Sequence, residues 1–131
     1  HMVVGTHGST YGGNPLAMAV GNVVYDELSK PGFMEHVVSI SNTLRQSLSG
    51  VVDAHSDKVE ELRGRGLLVG LKLKDGFGNR TLVGKAREHH LLMGAAGDNV
   101  ARMAPPLIIN EDHVREAVSA LDKALGELQP E

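Results

Sequence analysis

Apolar positions recur at two different periods along this chain, and the switches between them outline its elements. Phe33, Val37, Ile40, Leu44 and Leu48 are spaced 4, 3, 4 and 4 apart, which makes one stripe down a helix. Gly50 follows that stripe and is the expected stop. The last segment repeats the helical period with Val114, Ala117, Val118, Leu121, Leu125 and Leu128. Asn110 is its expected N-cap, and Glu111 and Asp112 suit the positive end of the helix. Between these helices Val69, Leu71 and Leu73 alternate with Gly70, Lys72 and Lys74, the period of a strand with one buried face. Asp75 to Asn79 reads as a loop, after which Thr81 is expected to cap a short helix to about His90. Two short strands, 91–93 and 100–103, flank a turn at Gly97, Asp98 and Asn99, and Pro105-Pro106 ends the second.

The first segment has a different character. Asn14 and Pro15 start a helix expected over 15–29, which Pro31-Gly32 stops. Leu16-Ala17-Met18-Ala19-Val20 is small or apolar all round, so this helix is expected to lie buried on several sides. Ahead of it runs Gly5-Thr6-His7-Gly8-Ser9-Thr10-Tyr11-Gly12-Gly13. Glycines admit close backbone approach, and backbone N–H groups with the Ser9 and Thr10 hydroxyls could hold an anion such as a phosphate. An ordinary glycine-rich turn with capping hydroxyls fits the spacing equally well, since it is neither a Walker loop nor a dinucleotide fingerprint. The whole order predicts an α+β domain whose helices pack on a small, mainly antiparallel sheet.

Composition narrows the function classes. With 131 residues, 41% hydrophobic and 22% charged, the chain suits one globular domain. A net charge of −3 argues against nucleic acid or an anionic membrane as partner. The chain has no cysteine, which excludes disulfides and thiolate metal sites. Its seven histidines contain no i, i+4 pair of metal-ligand spacing, so no metal is expected and His7 is read as orienting its loop. Apolar runs are too short to span a membrane, and the N-terminus lacks a signal peptide, so cytoplasm is the expected location. His1-Met2 reads as a cloning remnant.

Three segments carry a family resemblance: Gly-Thr-His-Gly-Ser-Thr-Tyr-Gly-Gly-Asn-Pro-Leu-Ala from Gly5, Leu-Arg-Gly-Arg-Gly-Leu-Leu-Val-Gly-Leu from Leu62, and Val-Ala-Arg-Met-Ala-Pro-Pro-Leu-Ile-Ile from Val100. In this order they resemble the C-terminal part of class III aminotransferases of the acetylornithine type, fold-type I enzymes that use pyridoxal 5′-phosphate. The resemblance implies a small C-terminal domain over 31–131, preceded over 3–30 by a cofactor-phosphate loop and linking helix. It implies a homodimer in which Thr10, supported by Ser9, contacts the cofactor phosphate of the neighbouring subunit. Arg102 matches the arginine of Arg-x-x-Pro-Pro, which binds a substrate carboxylate or pairs with a glutamate of the large domain. A planar guanidinium fork suits that bidentate task; the alternative is a surface arginine on an edge strand.

The family's cofactor lysine lies upstream of Gly5, so the chain is expected to be a fragment without catalytic residues, inactive alone and not retaining the cofactor. Arg63 and Arg65 are expected to be structural, bridging to the absent domain, and Glu60 and Glu61 to be solvated helix or loop charges. The implied reaction moves an amino group between N-acetylornithine and 2-oxoglutarate, in arginine biosynthesis. Thr6 before His7 leans towards the acetylornithine branch; ornithine, succinylornithine and ω-amino acid enzymes are the alternatives. A stand-alone anion-binding or dimerisation module is the rival from outside enzymology.

Overall fold

The computed structural model describes residues 3–131, which divide between Glu35 and His36 into two compact units. The first unit holds α1 (Pro15–Leu28). Asn14 caps it as expected, its Oδ1 accepting from the Ala17 N–H at 3.1 Å with Pro15 in the first turn. No residue of α1 is buried, whereas its sequence predicts cover on several sides. Leu16 is 75% exposed and Tyr25 70%. The apolar residues of the helix are present as anticipated, and they stand exposed.

Helix α2 (Phe33–Ala54) leads into β1 (Val59–Arg65), β2 (Leu68–Leu73), α3 (Asn79–Glu88), β3 (Gly94–Ala96), β4 (Val100–Met103) and α4 (Glu111–Glu127). The strands form one antiparallel sheet in the order β1-β2-β4-β3, giving the expected α+β architecture. Val69, Leu71, Leu73, Ala101 and Met103 are buried on one face of the sheet. With them in the core are Leu44 and Leu48 of α2, Leu82 of α3 and Leu121 and Leu125 of α4. Burying each such leucine contributes about 1.5–3 kcal/mol.

Several boundaries differ from the sequence reading. Helix α2 passes through Gly50 to Ala54 because Val51 extends the buried stripe one turn further. Helix α3 starts at Asn79 with Gly78 as N-cap; Thr81 lies inside the first turn and its hydroxyl donates to Glu131 Oε1. The third strand is 94–96 rather than 91–93, because the Leu91 N–H closes the end of α3 on Ala86 O at 2.9 Å, with His90 left-handed at φ 63°. Strand β1 escapes the pattern altogether, since only Val59 is fully buried in it. Glu60 and Glu61 are exposed as expected, but on a strand.

Candidate functional site

The glycine-rich loop belongs to the first unit and is exposed throughout. Thr6 ties its start, with Oγ1 donating to Val3 O at 2.7 Å and accepting from Val3 N at 3.1 Å. Gly5 and Gly13 take φ +87° and +76°, conformations that favour glycine. Neither the Ser9 nor the Thr10 hydroxyl has a hydrogen-bond partner among the described residues, so neither is used to cap the turn. Free hydroxyls and N–H groups just before a helix N-terminus suit an anionic group such as a phosphate.

Arg102 belongs to the second unit, in β4, with β2 on one side and β3 on the other. It is therefore not an edge-strand arginine. Antiparallel register sets Arg63, Gly70, Arg102 and Gly94 in one row across the sheet, on the face opposite the core. Two strand spacings, about 10 Å, separate the backbones of the two arginines, with Gly70 between them in the row and the Val100 side chain over it. Arg102 is exposed and makes no ion pair among the described residues.

Arg63 is engaged by partners inside this chain. It donates to Glu61 and, through Nη1, to Asp98 Oδ2 at 2.5 Å. Lys72 Nζ reaches the other Asp98 oxygen at 2.7 Å. The bonds from Lys72 and then Arg63 hold the Asp98 carboxyl below the usual aspartate range. Hydrogen bonds to Glu61 and Asp98 push the Arg63 guanidinium above its ordinary value.

The turn that carries Asp98 is itself anchored. Asn99, left-handed at φ 52°, donates from Nδ2 to Phe77 O at 2.8 Å and accepts the Asn79 N–H at 2.9 Å. Asn79 Nδ2 returns bonds to Ala96 O and Val100 O at 2.8 and 2.9 Å. These bonds lock β4, and Arg102 with it, to the start of α3. The sequence reading placed Asp98 and Asn99 in a turn and Gly70 in an alternating strand, and assigned no role to Gly94. Gly70 left one clue, a glycine interrupting an alternating strand, which often marks close approach.

Three of the histidines serve as fasteners. His55 and His89 meet Asp122 and Glu127 on α4 at 2.8 and 3.0 Å, and His113 completes the capping box with Asn110. Among the described residues no group of three His, Asp or Glu side chains could hold a metal ion. No helix among them is long and apolar enough to cross a membrane.

Residues 1–125 match the family model of Aminotransferase class-III. The chain belongs to the class III aminotransferases. Acetylornithine aminotransferase 1 of Bradyrhizobium diazoefficiens is 48% identical over 120 residues, which cover 92% of this chain and 29% of that protein. Acetylornithine aminotransferase of Rhodobacter capsulatus is 47% identical over 128 residues, 98% of this chain and 32% of that one. Among solved structures, acetylornithine aminotransferase from Elizabethkingia anophelis superimposes with a TM-score of 0.80 at 29% identity, over 96% of this chain and 33% of that one. The chain thus spans about three-tenths of the length of the class III relatives it matches. The three motifs of the sequence lie in the loop before α1 and its first turn, in the β1–β2 hairpin and in β4.

Proposed function

We propose that this class III domain works within an acetylornithine aminotransferase, exchanging an amino group between N-acetylornithine and 2-oxoglutarate as a homodimer in the cytoplasm. Relatives of that name at 46–48% identity over nearly the whole chain carry the reading. Within it, residues 3–30 are the cofactor-phosphate loop and linking helix, and 31–131 the small domain. Pyridoxal 5′-phosphate, when bound, supplies the electron sink of the reaction. Ser9 and Thr10 offer hydroxyls to its phosphate, consistent with their lack of partners in the loop. Arg102 receives a substrate carboxylate, consistent with its unpaired guanidinium on the open sheet face. The uncovered apolar faces of α1 fit a helix that another domain or subunit buries. The isolated chain should therefore self-associate in light scattering; a strict monomer at high concentration would count against the interface.

Other class III branches are the second reading, favoured by likeness to an ornithine aminotransferase from Toxoplasma gondii, with a TM-score of 0.79 at 31% identity. The full-length enzyme should be assayed with 2-oxoglutarate against N-acetylornithine, ornithine, succinylornithine and ω-amines. N-acetylornithine is expected to give the highest kcat/KM. Preference for another donor moves the protein to that branch.

A further inference from the structure

Gly94 pairs directly with Arg102 across β3 and β4, on the open face. A Cβ built on Gly94 would lie 3.6 Å from Arg102 Nη2 and 3.8 Å from Nε. The guanidinium therefore rests alongside Gly94, in the lane that a larger residue would fill. No ion pair among the described residues holds it there, so open space decides where it lies.

The other glycine of the row has a packing reason: a Cβ on Gly70 would fall 2.6 Å from Val100 Cγ1. Gly94 has no such reason. It is outside the positive-φ residues, and its own Cβ would make only ordinary contacts. A glycine within a strand weakens it, whereas a β-branched residue favours it. Backbone and packing both tolerate a side chain here; the arginine's lane does not tolerate a long one.

We propose that Gly94 is a positioning residue for Arg102, its bare backbone fixing the direction in which the guanidinium meets the carboxylate of an amino-acid or 2-oxo-acid substrate. The inference rests on the carboxylate role given to Arg102 above. Alanine stops at the edge of the lane. The γ-methyls of valine enter it and turn the fork away from that direction.

The test uses the full-length enzyme. Gly94→Ala should stay within about twofold of wild type. Gly94→Val should raise KM for carboxylate substrates about tenfold, the scale of one charge-assisted bond, with kcat less affected. Its unfolding temperature should not fall, which a merely structural glycine would not allow. Gly94→Thr, of similar shape, repeats the test if the valine variant fails to fold. In an Arg102→Ala background Gly94→Val should have no further effect. Wild-type KM in Gly94→Val beside an impaired Arg102→Ala overturns the role of Gly94 alone, as does an undiminished effect in the Arg102→Ala background. An unimpaired Arg102→Ala overturns the carboxylate reading, and the role of Gly94 with it.

Discussion

Asp98 and Arg63 meet over the width of β2, Oδ2 2.5 Å from Nη1, and tie the β3–β4 turn to the far edge strand. Lys72 on β2 joins the same carboxylate. This clamp occupies two cations of the open face and leaves Arg102 without a competing partner.

The Asp98 carboxyl should titrate below ordinary aspartates, and Lys72→Ala should bring its midpoint back up, since the Lys72 bond is the largest cause of the depression. A depressed carboxylate contributes stability that is present above its unfolded pKa and lost as pH falls through the folded one. The difference in unfolding free energy between wild type and Asp98→Asn should accordingly vanish only at acid pH. Carboxyl NMR titration reads both effects, and an ordinary midpoint for Asp98 would refute the clamp.

Arg102 and Thr10 should separate by kinetic signature in the full-length enzyme. Losing a bond to a charged group costs about 1.5–3 kcal/mol, so Arg102→Ala should lower kcat/KM roughly ten- to a hundredfold. Arg102→Lys should recover part, because an ammonium lacks the planar fork. Thr10→Ala should weaken cofactor retention and leave substrate discrimination nearly intact. Steady-state kinetics and cofactor titration on the variants distinguish the two roles.

Asn99 should matter more than its turn position suggests. Alanine there carries the left-handed strain and abandons the bonds to Asn79 and Phe77, a loss of about 2–4 kcal/mol. Asn99→Gly should lose less, because glycine accepts that conformation freely. Denaturant unfolding of the three proteins tests the ranking; equal stability of wild type and Asn99→Ala would show the network to be dispensable.

The chain alone should form no stoichiometric adduct with pyridoxal phosphate. Lys72 is held by Asp98, Lys58 donates to Leu125 O at 2.6 Å, and Lys30 pairs with Glu27. The bond that Lys85 donates to Glu88 holds its ammonium above its ordinary value, opposite to the lowered pKa that a nucleophilic lysine needs. A visible band assigned to one lysine, with turnover, would overturn this.

Local chemistry was legible wherever a few neighbouring residues decide the outcome. Asn14-Pro15 started α1, Asn110 capped α4, and the alternation around Leu71 identified β2, because caps and periodicity act over one or two turns of chain. The motifs around Ser9, Leu62 and Arg102 were enough to place the family. What lay beyond the sequence was every relationship made across the sheet. Strand β1 carries too few buried residues to show a period, and Gly50 yields to the stripe that Val51 continues. The row of Arg63, Gly70, Arg102 and Gly94 joins residues up to 39 positions apart, and only strand register brings them onto one face. Asp98 and Asn99 looked like turn residues because their left-handed backbone is a local property. Their ties to Lys72, Arg63 and Asn79 depend on how β4, β2 and α3 pack, which tertiary structure alone decides.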